Sequence, residues 1–158
     1  MEARMKNPAY VLQDTVQAIN LLYKAAHSAG LDRQVLELVH MRASQINGCS
    51  ACVESGARGA RKAGITDERL LTISAWRETP WFTEAERAAL ELAESMTRLS
   101  DKADAVPDAI WKEAARHYDE RALGAILLQI SLVNVWNRVN VATRQVAGEW
   151  AATAAAKA

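Results

Sequence analysis

The chain has 158 residues, with 19 Lys+Arg balanced by 19 Asp+Glu, half of its residues hydrophobic and only two cysteines. That length fits a single domain and buries enough surface to hold together without a disulfide or metal staple. Zero net charge removes the electrostatic case for nucleic acid or an anionic membrane as partner, and the longest uncharged stretch, 122–137, is short and carries Gln129, Ser131 and Asn134, so no membrane span is expected.

Few glycines, three prolines and the lack of alternating apolar stretches predict an all-α domain of about six to seven helices. Pro8 suits the first turn of a helix running to about Ser28, with Leu12, Val16, Ile19, Tyr23 and Ala26 as its buried seam. Gly30 ends it, and Asp32 caps a second helix through Ile46 that is apolar almost all round and therefore central. Asn47-Gly48 stops that helix, and a third runs from about Cys49 to Gly64. Thr66 opens a fourth that ends before Pro80, and Thr83-Glu84-Ala85-Glu86 is a capping box for a fifth reaching about Leu99. Pro107 opens a sixth, and Asp119 caps a long seventh from Glu120 to about Val146. One helical domain over 1–150 and an Ala-rich tail over 151–158 complete the chain. The first residues carry Glu2, Arg4 and Lys6 with no apolar run behind them, so no signal peptide and a cytoplasmic location are expected.

Cys49-Ser50-Ala51-Cys52 is a CxxC motif at a predicted helix start. Residues three apart share a helix face, so the pair can close a disulfide, and the helix N-terminus favours a thiolate there. Half of a zinc site and two inert core cysteines are the competing readings. A closed zinc site needs four ligands, and His27, His40 and His117 show no paired ligand spacing, so no metal or cofactor is expected. Glu37, twelve residues before Cys49, is an acid inside the apolar second helix. Folded back against the CxxC helix it would be a general base for a cysteine, its carboxyl raised by burial; the alternative is a structural acid paired with Arg42 or Arg138. Trp76, Trp81, Trp111 and Trp136 read as core or interface anchors, and Trp150 as a residue packing on a neighbouring subunit. Asn134 and Asn137 need hydrogen-bond partners if buried.

The segment LVHMRASQINGCSAC at 38–52 resembles the core motif of alkylhydroperoxidase D-like proteins, in the carboxymuconolactone decarboxylase superfamily. The likeness continues in AWRE at 75–78, FTEAERAAL at 82–90 and NVWNR at 134–138, and extends from Arg4 to about Arg144. The resemblance implies an all-α domain assembling into trimers or hexamers, with the site near subunit contacts. It further implies that Cys52 attacks a hydroperoxide, that Cys49 resolves the sulfenic acid to a disulfide, that Glu37 is the family's upstream glutamate, and that an external dithiol protein resets the pair.

One position departs from the pattern. The peroxidase motif places a histidine four residues after the second cysteine, and this chain has Gly56 there. Glycine inside a helix costs about 1 kcal/mol against alanine, which points either to drift in a slow peroxidase or to a pocket opened for another substrate. His40, three residues after Glu37, can share its helix face and form a Glu–His pair in place of the missing imidazole, against the competing reading of a surface or interface histidine. Ser55 can donate a hydrogen bond near Cys52 but is a poor base. The expected activity is thus a thiol-dependent reductase of a small hydroperoxide. The alternatives are decarboxylation or isomerisation of a small carboxylated lactone and a non-enzymatic redox-sensing oligomer.

Overall fold

A computed structural model describes residues 1–149. Its regular elements are all helical: α1 (Pro8–Val11), α2 (Thr15–His27), α3 (Arg33–Ile46), α4 (Ser50–Lys62), α5 (Asp67–Thr72), α6 (Glu84–Thr97), α7 (Asp108–His117) and α8 (Glu120–Thr143), with 3₁₀ segments at Ile73–Glu78 and Leu99–Asp101. The Ala-rich tail and Trp150 lie outside the described residues.

Local signals place most of the boundaries. The Asp32 carboxylate accepts from Gln34 N at 2.9 Å, and the Asp119 carboxylate accepts from Ala122 N at 2.8 Å, each satisfying an amide that its helix leaves free. Thr83 and Glu86 close the expected capping box on α6. The predicted fourth helix is α5 plus the 3₁₀ segment, broken at Ala75, where the backbone leaves helical values. Helix α8 ends at Arg144 in the left-handed conformation, slightly short of Val146.

The first predicted helix is two helices. The Asn7 side chain caps α1 and also donates to Asn140 Oδ1 of α8 at 2.6 Å, which ties this turn down. The chain then turns through extended Leu12 and left-handed Asp14 before α2 begins. Leu12 is consequently exposed, while Ile19 and Ala26 of the expected seam are buried and Val16 and Tyr23 half-buried.

Helix α3 is central, as its all-round apolar character requires. One side packs Val35 and Val39 with Leu92, Ile126 and Ile130; the other packs Leu38 and Met41 with Ile73, Trp76 and Leu90. Each fully buried Leu or Ile contributes about 2 kcal/mol by removal from water. Within this core Glu94 is a buried carboxylate held by Arg42 Nε (2.7 Å), Trp76 Nε1 (3.0 Å) and Arg77 Nη1 (2.9 Å). Trp76 is thus a core residue, whereas Trp81 and Trp111 are exposed. Helix α8 is long and apolar enough to cross a membrane by length and composition, but half of its most apolar window is buried inside the bundle.

Candidate functional site

The turn between α3 and α4 builds the site. Gly48 takes a positive φ of 63°, so the chain reverses within three residues and α4 packs back along α3. Cys49 is the N-cap of α4, and its Sγ accepts from Cys52 N at 3.3 Å, as the CxxC at a helix start predicts. The two sulfurs form a disulfide with Cα atoms 5.3 Å apart, and both cysteines are buried.

A strip of asparagines on α8 holds this turn. Asn47 Nδ2 donates to Asn134 Oδ1 (3.0 Å) and Asn137 Oδ1 (2.8 Å), and Asn137 Nδ2 donates to Ser44 Oγ (3.1 Å). One turn on, Asn140 Nδ2 donates to Cys52 Sγ at 3.2 Å. Asn134 and Asn137 were expected to need partners; Asn140, the one that touches sulfur, escaped the sequence reading. Its signal was the three-residue spacing of asparagines in an otherwise apolar helix.

A cavity of about 190 Å³ opens beside Cys52, walled by Tyr23, His40, Ser55, Val133 and Trp136. Its walls are mainly apolar and aromatic, with the His40 imidazole among the few polar groups that line it. A second hollow of about 350 Å³ lies on the Cys49 side, lined by Gly48, Ser50, Asn140 and Arg144 among others. Ser55 Oγ donates to the Cys52 carbonyl at 3.2 Å. Trp136, expected as an anchor, packs on the buried cluster of Cys49, Ala51 and Cys52, and it also forms a wall of the smaller cavity and hydrogen-bonds Tyr23.

Glu37 is buried, with its Oε1 3.6 Å from Arg33 Nε and its Oε2 3.8 Å from His40 Nδ1. The alternative partners named from sequence are engaged elsewhere: Arg42 with Glu94, and Arg138 with Asn134. Burial raises the Glu37 carboxyl above the usual range, with Arg33 opposing. Burial also pulls His40 down to about 4, against a hydrogen bond to the Cys52 backbone, so the ring is neutral at pH 7. For Tyr23, burial and then the Glu37 charge push the hydroxyl up, with Trp136 opposing. His27 lies edge-on to Tyr23 near the end of α2, and His117 pairs with Glu113 in α7; neither lines the Cys52 cavity.

The depressed His40 has a measurable consequence. An unfolded histidine takes up its proton near pH 6.5 and the folded ring only near 4, so the stability its neutral form contributes is present above pH 6.5 and is lost as pH falls through 4. Urea unfolding of the oxidised protein at pH 7 and pH 4.5 should show wild type losing on the order of 2 kcal/mol more than His40→Gln. Glu37 works in the opposite sense, gaining as pH falls, and is common to both proteins.

The sequence model of the carboxymuconolactone decarboxylase family matches residues 13–95, which include α2, α3, α4 and the whole CxxC turn. The chain is also 36% identical over 119 residues to the uncharacterised protein YdfG of Bacillus subtilis, covering 75% of this chain and 80% of YdfG. The chain belongs to the carboxymuconolactone decarboxylase family. A further relative, the uncharacterised YnjA of Escherichia coli, is 36% identical over 113 residues, which is 71% of this chain and 60% of YnjA.

Among solved structures, ATU0492 of Agrobacterium tumefaciens, a protein of unknown function proposed as the antioxidant defence protein AhpD, superposes with a TM-score of 0.84 at 29% identity, over 92% of this chain and 98% of that one. The debrominase Bmp8 shares the fold at 22% identity, with a TM-score of 0.76 over 86% of this chain and 72% of its own. The all-α AhpD-like fold expected for a carboxymuconolactone decarboxylase family member is therefore the fold this chain adopts.

Proposed function

We propose that this family member is a thiol-dependent reductase of small organic hydroperoxides. The observation that carries the reading is Cys52, disulfide-linked to Cys49 and set in the wall of a small, largely apolar cavity that also holds a neutral imidazole. In the reduced protein the Cys52 thiolate attacks the outer peroxide oxygen, the O–O bond breaks, and the alcohol leaves after taking a proton. The sulfur, oxidised by two electrons, is now a sulfenic acid. Cys49 then attacks it, the S–S bond forms and water leaves. Asn140 and the α4 N-terminus supply hydrogen bonds to the two sulfurs. A dithiol protein returns the pair to thiols, with the hollow beside Cys49 as its approach. Glu37 acts at one remove, holding His40 in place.

The same reading has the chain working in the cytoplasm as a trimer or hexamer. Exposed Tyr10, Val11, Leu12, Leu21 and Leu22 on α1, α2 and the turn between them support self-association, since monomers rarely leave such a cluster open to water. The test is to reduce the protein, add tert-butyl hydroperoxide and count free thiols by mass spectrometry. Both cysteines are expected to be lost together with one equivalent of peroxide. Persistence of both thiols in excess peroxide would sink the proposal, and turnover of a lactone by a protein lacking both cysteines would replace it.

A further inference from the structure

Position 56 is where the resemblance leads one to expect an imidazole, and the structure puts another imidazole in that space. A Cβ built on Gly56 would sit 3.1 Å from His40 Nε2 and 3.2 Å from His40 Cδ2, with Met41 Sδ at 2.8 Å. Gly59, one turn further along α4, would bring a Cβ to 2.7 Å from Glu37 Oε2. Thus two glycines three apart on α4 face two functional side chains three apart on α3: Gly56 receives His40, and Gly59 receives Glu37. Residues at this spacing lie on one helix face, so each pair meets the other as a unit. Glycine is a poor choice inside a helix, yet α4 carries two, at places where a Cβ would overlap Met41 Sδ and crowd the His40 ring in one case and overlap the Glu37 carboxylate in the other.

We propose that His40, delivered from α3 and seated against Gly56, is the catalytic acid–base of Cys52, with Glu37 seated against Gly59 as its positioning residue. The inference rests on the hydroperoxide reading for its substrate, whereas the seat of the ring rests on the packing of α3 against α4 and its access to Cys52 on the cavity they share. His40 shares the Cys52 cavity with Trp136 and presents its Nδ1 edge to the Glu37 carboxylate. In the step, the neutral ring accepts the Cys52 thiol proton, the thiolate takes the outer oxygen of the hydroperoxide, and the ring returns that proton to the departing alkoxide. Thiol and hydroperoxide become sulfenic acid and alcohol, and His40 ends neutral as it began. The titratable groups facing the ring are Glu37 from α3, Cys52 from α4 and Tyr23 from α2, with Arg33 behind Glu37; α8 contributes Val133 and Trp136, which do not titrate.

The test is a double-mutant cycle on the reduced protein, reading the second-order rate of Cys52 oxidation by tert-butyl hydroperoxide. His40→Ala is expected to slow it about 100-fold. Gly56→Ala is expected to slow it about tenfold by displacing the ring, and to have no further effect when His40 is already Ala. His40→Ala combined with Gly56→His is expected to recover at least tenfold of the loss. A His40→Ala rate within about twofold of wild type, or independent effects of the two alanine changes, would overturn the proposal.

A second readout separates this from failure of the hydroperoxide reading. The rate of Cys52 alkylation by iodoacetamide across pH, in a Cys49→Ser background, uses no peroxide. If wild type ignores peroxide but His40→Ala shifts this pH profile, the assigned substrate is wrong and the His40 proton transfer stands. An unshifted profile overturns the transfer. His40→Gln, which keeps a polar side chain of similar reach, repeats both measurements should the alanine variant fold poorly.

Discussion

Cys52→Ser is expected to abolish hydroperoxide consumption, lowering the rate by at least about 10³-fold, whereas Cys49→Ser should leave a single fast turnover and then stop. The asymmetry follows from placement. Cys52 lines the cavity with His40 and receives the Asn140 amide, whereas Cys49 lines the hollow on the other side. Without Cys49, the Cys52 sulfenic acid has no thiol in the chain to resolve it, because these are the only two cysteines. Intact-mass analysis should therefore find one added oxygen on Cys49→Ser after one equivalent of peroxide, trapped by dimedone. One added oxygen on Cys49 in the Cys52→Ser protein, at a comparable rate, would reverse the assignment.

Glu94→Ala is expected to cost about 3–5 kcal/mol of stability, the largest single loss outside the apolar core. Burial by itself disfavours the Glu94 charge, but hydrogen bonds from Trp76, Arg77 and Arg42 outweigh it and hold the carboxyl below the usual range. Truncation removes the shared acceptor and leaves the largely buried Arg42 guanidinium and the indole N–H without it. Glu94→Gln keeps an acceptor and should cost less than Glu94→Ala. Urea denaturation at pH 7 checks both. A loss under 1 kcal/mol for the alanine variant would mean that water and neighbouring acids replace the carboxylate.

Helix existence was legible wherever a cap, a glycine stop and a 3.6-residue period coincided, as at Asp32 and Thr83. The break at Asp14 was not, because the apolar period runs through it; the chain leaves helical geometry at extended Leu12 and left-handed Asp14, while Asn7 ties α1 to Asn140 of α8. Glu37 stood out as an acid among apolar residues, yet its partners are Arg33 and His40 on its own helix and not the more distant arginines. Gly56 stood out only against a family pattern, as an absence. What fills the absence depends on how α3 and α4 pack, and no reading along one strand of text contains that. Gly59 carries the same information and drew no notice, because it departs from nothing.

The asparagines of α8 set how that helix can lie. Apolar packing tolerates a small slide or roll at little cost, since one methyl contact substitutes for another. The amides of Asn134, Asn137 and Asn140 do not, because each meets a specified atom on the α3–α4 turn or, in the last case, the Cys52 sulfur. A displacement of α8 by one residue would break this entire series together. The seam therefore works like the teeth of a key: it admits one register, and in that register the indole of Trp136 walls the cavity it shares with the imidazole.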